Sequence, residues 1–325
     1  MCLNFLVWFC LLAVLMCGCG GRPDPLGRQV SRATDTGLRG QELLSEGEHR
    51  QAEKAFSKSL RINRSIDNPI GSARQLNNLA ALALTRGDLA EAKNLFQQAL
   101  FVNQGLGNDA GAAINLANLA TIAQKDGDLP KAERHLEEAR NLARLSGSAK
   151  VRGQVLCQMA GLALDQQDPA TAAAHLEEAR PASRNAEVQG SWNYQQGRLS
   201  LARGDTGKAL PFFQEALKSD RNILNRSGMA ADLKALGETW EAQGDFPQSF
   251  PYYSRAFELY ATLASRDKAR LCLEALRRVN RAGSLGRSLQ PYEQQLETGQ
   301  ADATCPPGAK TNEPEKKPNV TTGVR

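Results

Sequence analysis

Large aromatic side chains are scarce: Phe, Trp and Tyr make up 6% of the 325 residues, although 41% are hydrophobic. A core built on rings is therefore excluded in favour of one built on Ala and Leu. Thr, Ile and Val are also sparse, while Ala, Leu, Gln, Glu and Arg abound, which points to helix rather than sheet. Only three histidines occur. No Ser-centred elbow, P-loop, dinucleotide fingerprint or HExxH is present. The chain reads as no enzyme, with no cofactor, no metal and no small-molecule substrate. None of the seven cysteines has CxxC spacing, which argues against a metal site or disulfide framework. Cys157 and Cys272 sit in apolar helical runs and read as buried free thiols. The net charge of +5 is small and spread out. Phosphate binding needs clustered cations, so no nucleic-acid partner is expected.

What is present divides into an apolar start, a repeat and a polar end. Leu3 to Met16 is apolar apart from Asn4, about the length of a signal-peptide core and short of the roughly 20 residues of a membrane span. Its end, "LMCGC", resembles the lipobox of bacterial lipoproteins, with Gly18 before Cys19; Cys17 is the alternative. The resemblance implies that residues 1–18 are removed and that Cys19 carries diacylglycerol and an N-acyl chain such as palmitate. It also implies an exported protein held at the cell envelope, with an outer membrane facing the periplasm as one location. An uncleaved anchor or a misread start remain alternatives. Pro23 and Pro25 oppose helix, so residues 19–32 read as a flexible tether.

The repeat shows in a row of turns: Gly47-Glu48, Gly87-Asp88, Gly127-Asp128, Gln167-Asp168, Gly204-Asp205 and Gly244-Asp245, at steps of 40, 40, 40, 37 and 40 residues. After each comes a small residue (Ala52, Ala92, Ala132, Ala172, Ala209, Ser249). Four on comes a large one (Phe56, Phe96, Leu136, Leu176, Phe213, Tyr253). Three further comes another small one (Ser59, Ala99, Ala139, Ala179, Ala216, Ala256). The i, i+4, i+7 spacing puts all three on one helix face. A second amphipathic run precedes each turn. Each unit is thus helix, turn, helix, and a lone hairpin cannot bury both faces, so units must stack.

The motif Gly-Asp-x-x-x-Ala-x-x-x-Phe-x-x-Ala-Leu, as in "GDLAEAKNLFQQAL" from Gly87 to Leu100, resembles the tetratricopeptide repeat (TPR) family. The longer period resembles the variant found in kinesin light chains. The resemblance implies an all-α, right-handed α-α superhelix of about six units, near 33–72, 73–112, 113–152, 153–189, 190–229 and 230–264. The extra residues of "FVNQGLGND" lengthen the second helix or its exit. Gln167 stands where Gly is expected. Residues 265–298 read as capping helices, the first placing Leu271, Leu276 and Val279 on one side. Residues 299–325 read as disordered.

In this family first helices line the concave surface, where partners bind. There, Asn78, Asn118, Gln158 and Gln195 fall in one repeat phase, with Ala235 closing the series. Such amides both donate and accept and suit the main chain of an extended peptide; the alternatives are amides on a solvated helix face, or pairing between units to fix stacking. Asn77, Arg74, Thr121, Lys125, Tyr194, Arg198 and Lys234 lie nearby, and the cations favour acidic groups. His135 and His175 share a phase but sit about 10 Å apart by helix packing, too far for one ion. Trp192 and Trp240 read as packing residues. The functional expectation is a scaffold that binds another protein or peptide, with the membrane engaged through the N-terminal lipid. A self-associating scaffold and a cytoplasmic adaptor are the alternatives.

Overall fold

The structure is a computed structural model that describes residues 24–298. The signal segment, Cys17, Cys19 and the polar tail from 299 lie outside the described residues. Among the described residues there are fourteen α-helices, one 3-10 turn and no strand. Six hairpins follow in order: α1 (Pro25–Ser45) with α2 (His49–Ser65), α3 (Pro69–Arg86) with α4 (Leu89–Gly105), α5 (Asp109–Lys125) with α6 (Leu129–Leu145), α7 (Ala149–Asp165) with α8 (Pro169–Ala179), α9 (Ala186–Ala202) with α10 (Thr206–Asn222), and α11 (Arg226–Ala242) with α12 (Phe246–Thr262). The closing helices are α13 (Arg266–Ala282) and α14 (Gln290–Thr298). None of the described helices is long and apolar enough to cross a membrane.

Most helices have 17 residues, and most linkers three. The 40-residue period is therefore two nearly equal half-periods, and the extra length goes into helix rather than into loops. The turns repeat one chemistry. Asp88, Asp128, Asp168, Asp205 and Asp245 cap the second helices, each carboxylate accepting from the backbone N–H three residues on at 3.0–3.1 Å. The residue before each cap has positive φ, including Gly87 at 83° and Gly127 at 79°. Gln167 adopts the same conformation at 61°, so the fourth turn keeps its shape without glycine. A left-handed non-glycine residue costs about 1–2 kcal/mol, partly offset by glycine's own chain entropy. Gln167→Gly is expected to stabilise the array by ~0.5–1 kcal/mol in urea denaturation. The short step of 37 arises in the same unit: Pro181 sits in a 3-10 turn, Arg180–Arg184, that replaces the last helical turns of α8.

The three repeated positions after each turn are buried in every unit, from Ala52, Phe56 and Ser59 to Ser249, Tyr253 and Ala256. The large side chain enters a hole opened by a small residue on its hairpin partner. A Cβ built on Gly40 would lie 2.5 Å from the Phe56 ring, and one on Gly197 would lie 2.6 Å from Phe213. Ala80, Ala120 and Ala160, all fully buried, hold that place in units two to four. Successive units share these residues, giving a continuous seam instead of separate cores.

Two expectations are corrected. The tether does not extend to residue 32, because α1 begins at Pro25. Proline is well tolerated at the first helical position, where its missing N–H is not needed, and Asp24 caps the helix by accepting from Leu26 N at 3.1 Å. On α13, Leu271 points outward, whereas Ala269, Cys272, Leu273, Leu276 and Val279 face the array. The outer side of α13 is polar: Arg278 forks onto Glu241 and Arg277 pairs with Glu293. α14 folds back with Tyr292 edge-on to Phe257 at 5.1 Å.

The superhelix comes round on itself. A Cβ on Gly47, in the first turn, would approach the Thr262 carbonyl at the end of α12 to 2.6 Å. Six units thus complete about one superhelical turn, and the first helices look inward across a narrow groove.

Candidate functional site: the concave groove

The middle of the groove holds a hollow of about 220 Å³ lined by Asn118, Gln154, Gln158, Ser191 and Gln195 over a floor of Ile114, Ala117, Val155 and Cys157. Helices α5, α7 and α9 each contribute one of the same-phase amides. Gln195 lies across α7 because residue 161 is glycine: a Cβ there would meet its Nε2 at 2.9 Å. Gln158 is the most telling member. Its Oε1 is buried and has no hydrogen-bond partner within the folded chain. A buried acceptor left unpaired costs about 1–3 kcal/mol, so a turn of the Gln158 side chain toward the hollow is favoured when an N–H donor enters the groove. Burial raises the neighbouring Cys157 thiol to about 12, which makes it a floor residue and not a nucleophile.

Other residues singled out from sequence divide between groove and scaffold. Asn77 is committed to stacking: its Oδ1 accepts from Asn115 Nδ2 at 3.0 Å and Asn118 Nδ2 at 3.2 Å, across the junction of units two and three. Asn115 in turn accepts from Asn103 at 2.7 Å, and Asn103 from Asn108 at 2.8 Å. Asn118 therefore serves both the hollow and the junction. Asn78 bonds Gln75 on its own helix at 3.3 Å and does not line the hollow. Thr121 bonds the Ala117 carbonyl behind it. Arg74 is exposed.

The charged residues form a second zone. Arg198 bonds Gln195 at 3.2 Å and Asp165 at 2.6 Å, while Gln124 reaches the other Asp165 oxygen at 3.3 Å. Asp165 thus ties units three, four and five together along the inner wall. Lys234 pairs with Glu238 on its own helix. Lys268 lies over the Tyr260 ring at 5.3 Å. Its pKa is lowered by burial first, then by Lys125 and Lys234 facing it. Tyr194 packs edge-on to Phe213 at 5.7 Å, and burial holds its phenol up at about 12. Asp165 and Lys268 were not visible as groove residues from sequence. Asp165 sits in the last turn of a first helix, and Lys268 on a capping helix, so only the superhelical turn brings them inward.

The remaining sequence candidates are structural. Trp192 donates to the Leu176 carbonyl at 2.9 Å and packs at 6.3 Å from Phe212. Burial is the largest cause lowering the pKa of both His135 and His175. Among the described residues no group of three potential metal ligands occurs.

Comparison with known proteins agrees with this geometry. Profiles described as tetratricopeptide repeat match residues 72–100 and 111–185. Tetratricopeptide repeat protein 29 of Trypanosoma brucei brucei is 34% identical over 98 residues, 28% of this chain and 20% of that protein. The match thus spans about a fifth of the curated relative's length. Among solved structures, apo RapI is similar with a TM-score of 0.58 at 13% identity, over 78% of this chain and 90% of that one. A Rap protein complexed with Competence and Sporulation Factor has a TM-score of 0.53 at 13% identity, over 81% and 76% of the two chains. At this identity the likeness shows the fold. Proteins of this architecture are in general interaction scaffolds without catalysis of their own. The chain thus contains tetratricopeptide repeats, matched over residues 72–100 and 111–185, within an all-α solenoid of stacked hairpins.

Proposed function

We propose that this chain is a non-enzymatic scaffold, held at the cell envelope by a lipid on Cys19, that grips a partner protein or extended peptide in its concave groove. The observation that carries the binding reading is the buried, unpaired oxygen of Gln158 in a hollow shared with Asn118 and Gln195. An extended peptide has an N–H and a C=O at nearly every residue. Amides at unit spacing satisfy both whatever the side chains, and Lys125, Lys234 and Lys268 favour an acidic segment at one end. The Rap complex, whose fold is similar, is a structure with Competence and Sporulation Factor bound.

The test is a paired substitution, Gln158→Ala with Gln195→Ala. Partner recovered by the full chain from its native envelope is expected to fall about tenfold, the effect of losing one or two buried hydrogen bonds. Helical content and melting temperature should stay near wild type. Unchanged recovery, or loss of fold, contradicts the reading. The anchor is tested separately by Cys19→Ser, which should abolish labelling by a palmitate analogue; label retained in the variant contradicts acylation at that cysteine.

A further inference from the structure

The shortened fourth unit leaves a notch in the outer wall. The other second helices run 17 residues, but α8 ends after 11, at Ala179. The 3-10 turn that follows leans inward onto α7: a Cβ built on Gly153 would lie 2.6 Å from the Ala182 methyl. Where the last turns of a full helix would pack on α6 there is instead a cavity of about 430 Å³. It is lined by Arg140, Asn141 and Arg144 of α6, Arg152 of α7 and Glu178 of α8.

This lining departs from the repeat at two places. The residue after the second small position is Leu60, Leu100, Leu217 or Phe257 in units one, two, five and six. There it packs against the next unit, as Leu60 does with Leu76 and Ala99. In unit three it is Arg140. The fourth residue of the first helix is Ser72, Ala112, Gln189 or Met229 in units two, three, five and six, and Arg152 in unit four. Glu178 holds one of the three guanidiniums, accepting from Arg140 Nη2 at 2.7 Å. Glu137 lies 3.9 Å from the same group. Arg144 and Arg152 make no hydrogen bond or ion pair with any described residue. Lys150, beside them on α7, pairs with Glu187. Two cations thus reach the cavity from different helices with no counter-charge, although like charges repel. Neither the seam nor the groove needs them there.

We propose that the notch is a binding site for a soluble ligand carrying a diphosphate group. A guanidinium fork matches phosphate oxygens two at a time, and arms from α6 and α7 grip from two sides. A diphosphate brings charge enough for both free arginines, and the cavity has room for its two tetrahedral groups. A single carboxylate would leave one arginine unmatched. The site lies on the second-helix wall, so it can be filled while a partner occupies the groove.

The test is calorimetric titration of the full chain with pyrophosphate. Binding is expected, weakening as salt rises and falling about tenfold or more in Arg144→Gln with Arg152→Gln. Those side chains bond nothing in the fold, so circular dichroism and Tm should not change. Arg64→Gln with Arg221→Gln alters two exposed arginines at the repeat position of Arg144, each followed by a full-length second helix; this control should bind like wild type. No binding of pyrophosphate, or equal loss in both double variants, overturns the site. Citrate bound as tightly as pyrophosphate and lost in the same variant overturns the phosphate assignment in favour of carboxylates. Displacement of pyrophosphate by phosphatidylcholine vesicles containing phosphatidic acid, but not by phosphatidylcholine alone, overturns the soluble ligand and assigns the phosphate to a lipid headgroup.

Discussion

Phe213→Ala is expected to destabilise the array by ~3–5 kcal/mol, the range for deleting a fully buried aromatic ring. Phe213 has no exposed surface and fills the space above Gly197, with Tyr194 edge-on to it. Neither neighbour can close the hole: Gly197 has no side chain, and Tyr194 is held by its own helix. Because each unit contacts chiefly its neighbours, a weak fifth unit should also divide unfolding into two steps. Urea denaturation followed by circular dichroism should show a lower first midpoint and a broadened transition. A single transition shifted by less than ~1 kcal/mol would show that units five and six do not depend on this ring.

The second large effect concerns Asp232, buried to 1% exposure with Oδ2 unpaired. Burial first, and Asp220 second, raise its pKa to about 8. In the unfolded chain an aspartate titrates near 3.9. The folded state therefore keeps a proton that the unfolded chain releases at neutral pH. This contribution to stability is fully present below about pH 4 and is lost as pH rises to about 8. At 1.36 kcal/mol per pKa unit, the loss is on the order of 5 kcal/mol. The junction of units two and three shows the remedy. Asn103 and Asn115 occupy the places of Asp220 and Asp232, 117 residues earlier, and bond each other at 2.7 Å. Asp232→Asn is expected to raise the melting temperature at pH 8 and to flatten the fall between pH 4 and 8. A variant with the wild-type pH slope would mean that Asp232 is ionised in the fold.

Much of the architecture was legible because one physical constraint repeats. A helix packed on both sides must place small, large and small residues at i, i+4 and i+7, and that cadence survives from Ala52 to Ala256. The Asp caps were legible for the same reason, since an N-terminal N–H needs an acceptor at a fixed place. The junction turns were less visible. Asp67, Leu224 and Ala264 take positive φ without glycine, so residue type gave no signal. The start of α1 was hidden because proline opposes a helix interior but suits its first turn.

The groove was legible only in part. Repeat phase located Asn118, Gln158 and Gln195 on α5, α7 and α9. Phase cannot say whether an amide faces the hollow or its neighbour, and Asn77 turned to Asn115 and Asn118. Asp165 and Lys268 come from different phases and meet the groove through superhelical curvature, which no local pattern encodes. The close approach of Gly47 to Thr262 has the same origin.

The most direct test of the groove places a photo-crosslinking amino acid in the full chain within its native cell, replacing either Gln158 on the inner wall or Gln98 on the exposed outer face of α4. A discrete adduct from position 158, absent from position 98 and lost with Gln195→Ala, is the predicted result. Equal adducts from both faces, or none from within the curve, would mean that the hollow is not where this protein holds its partner.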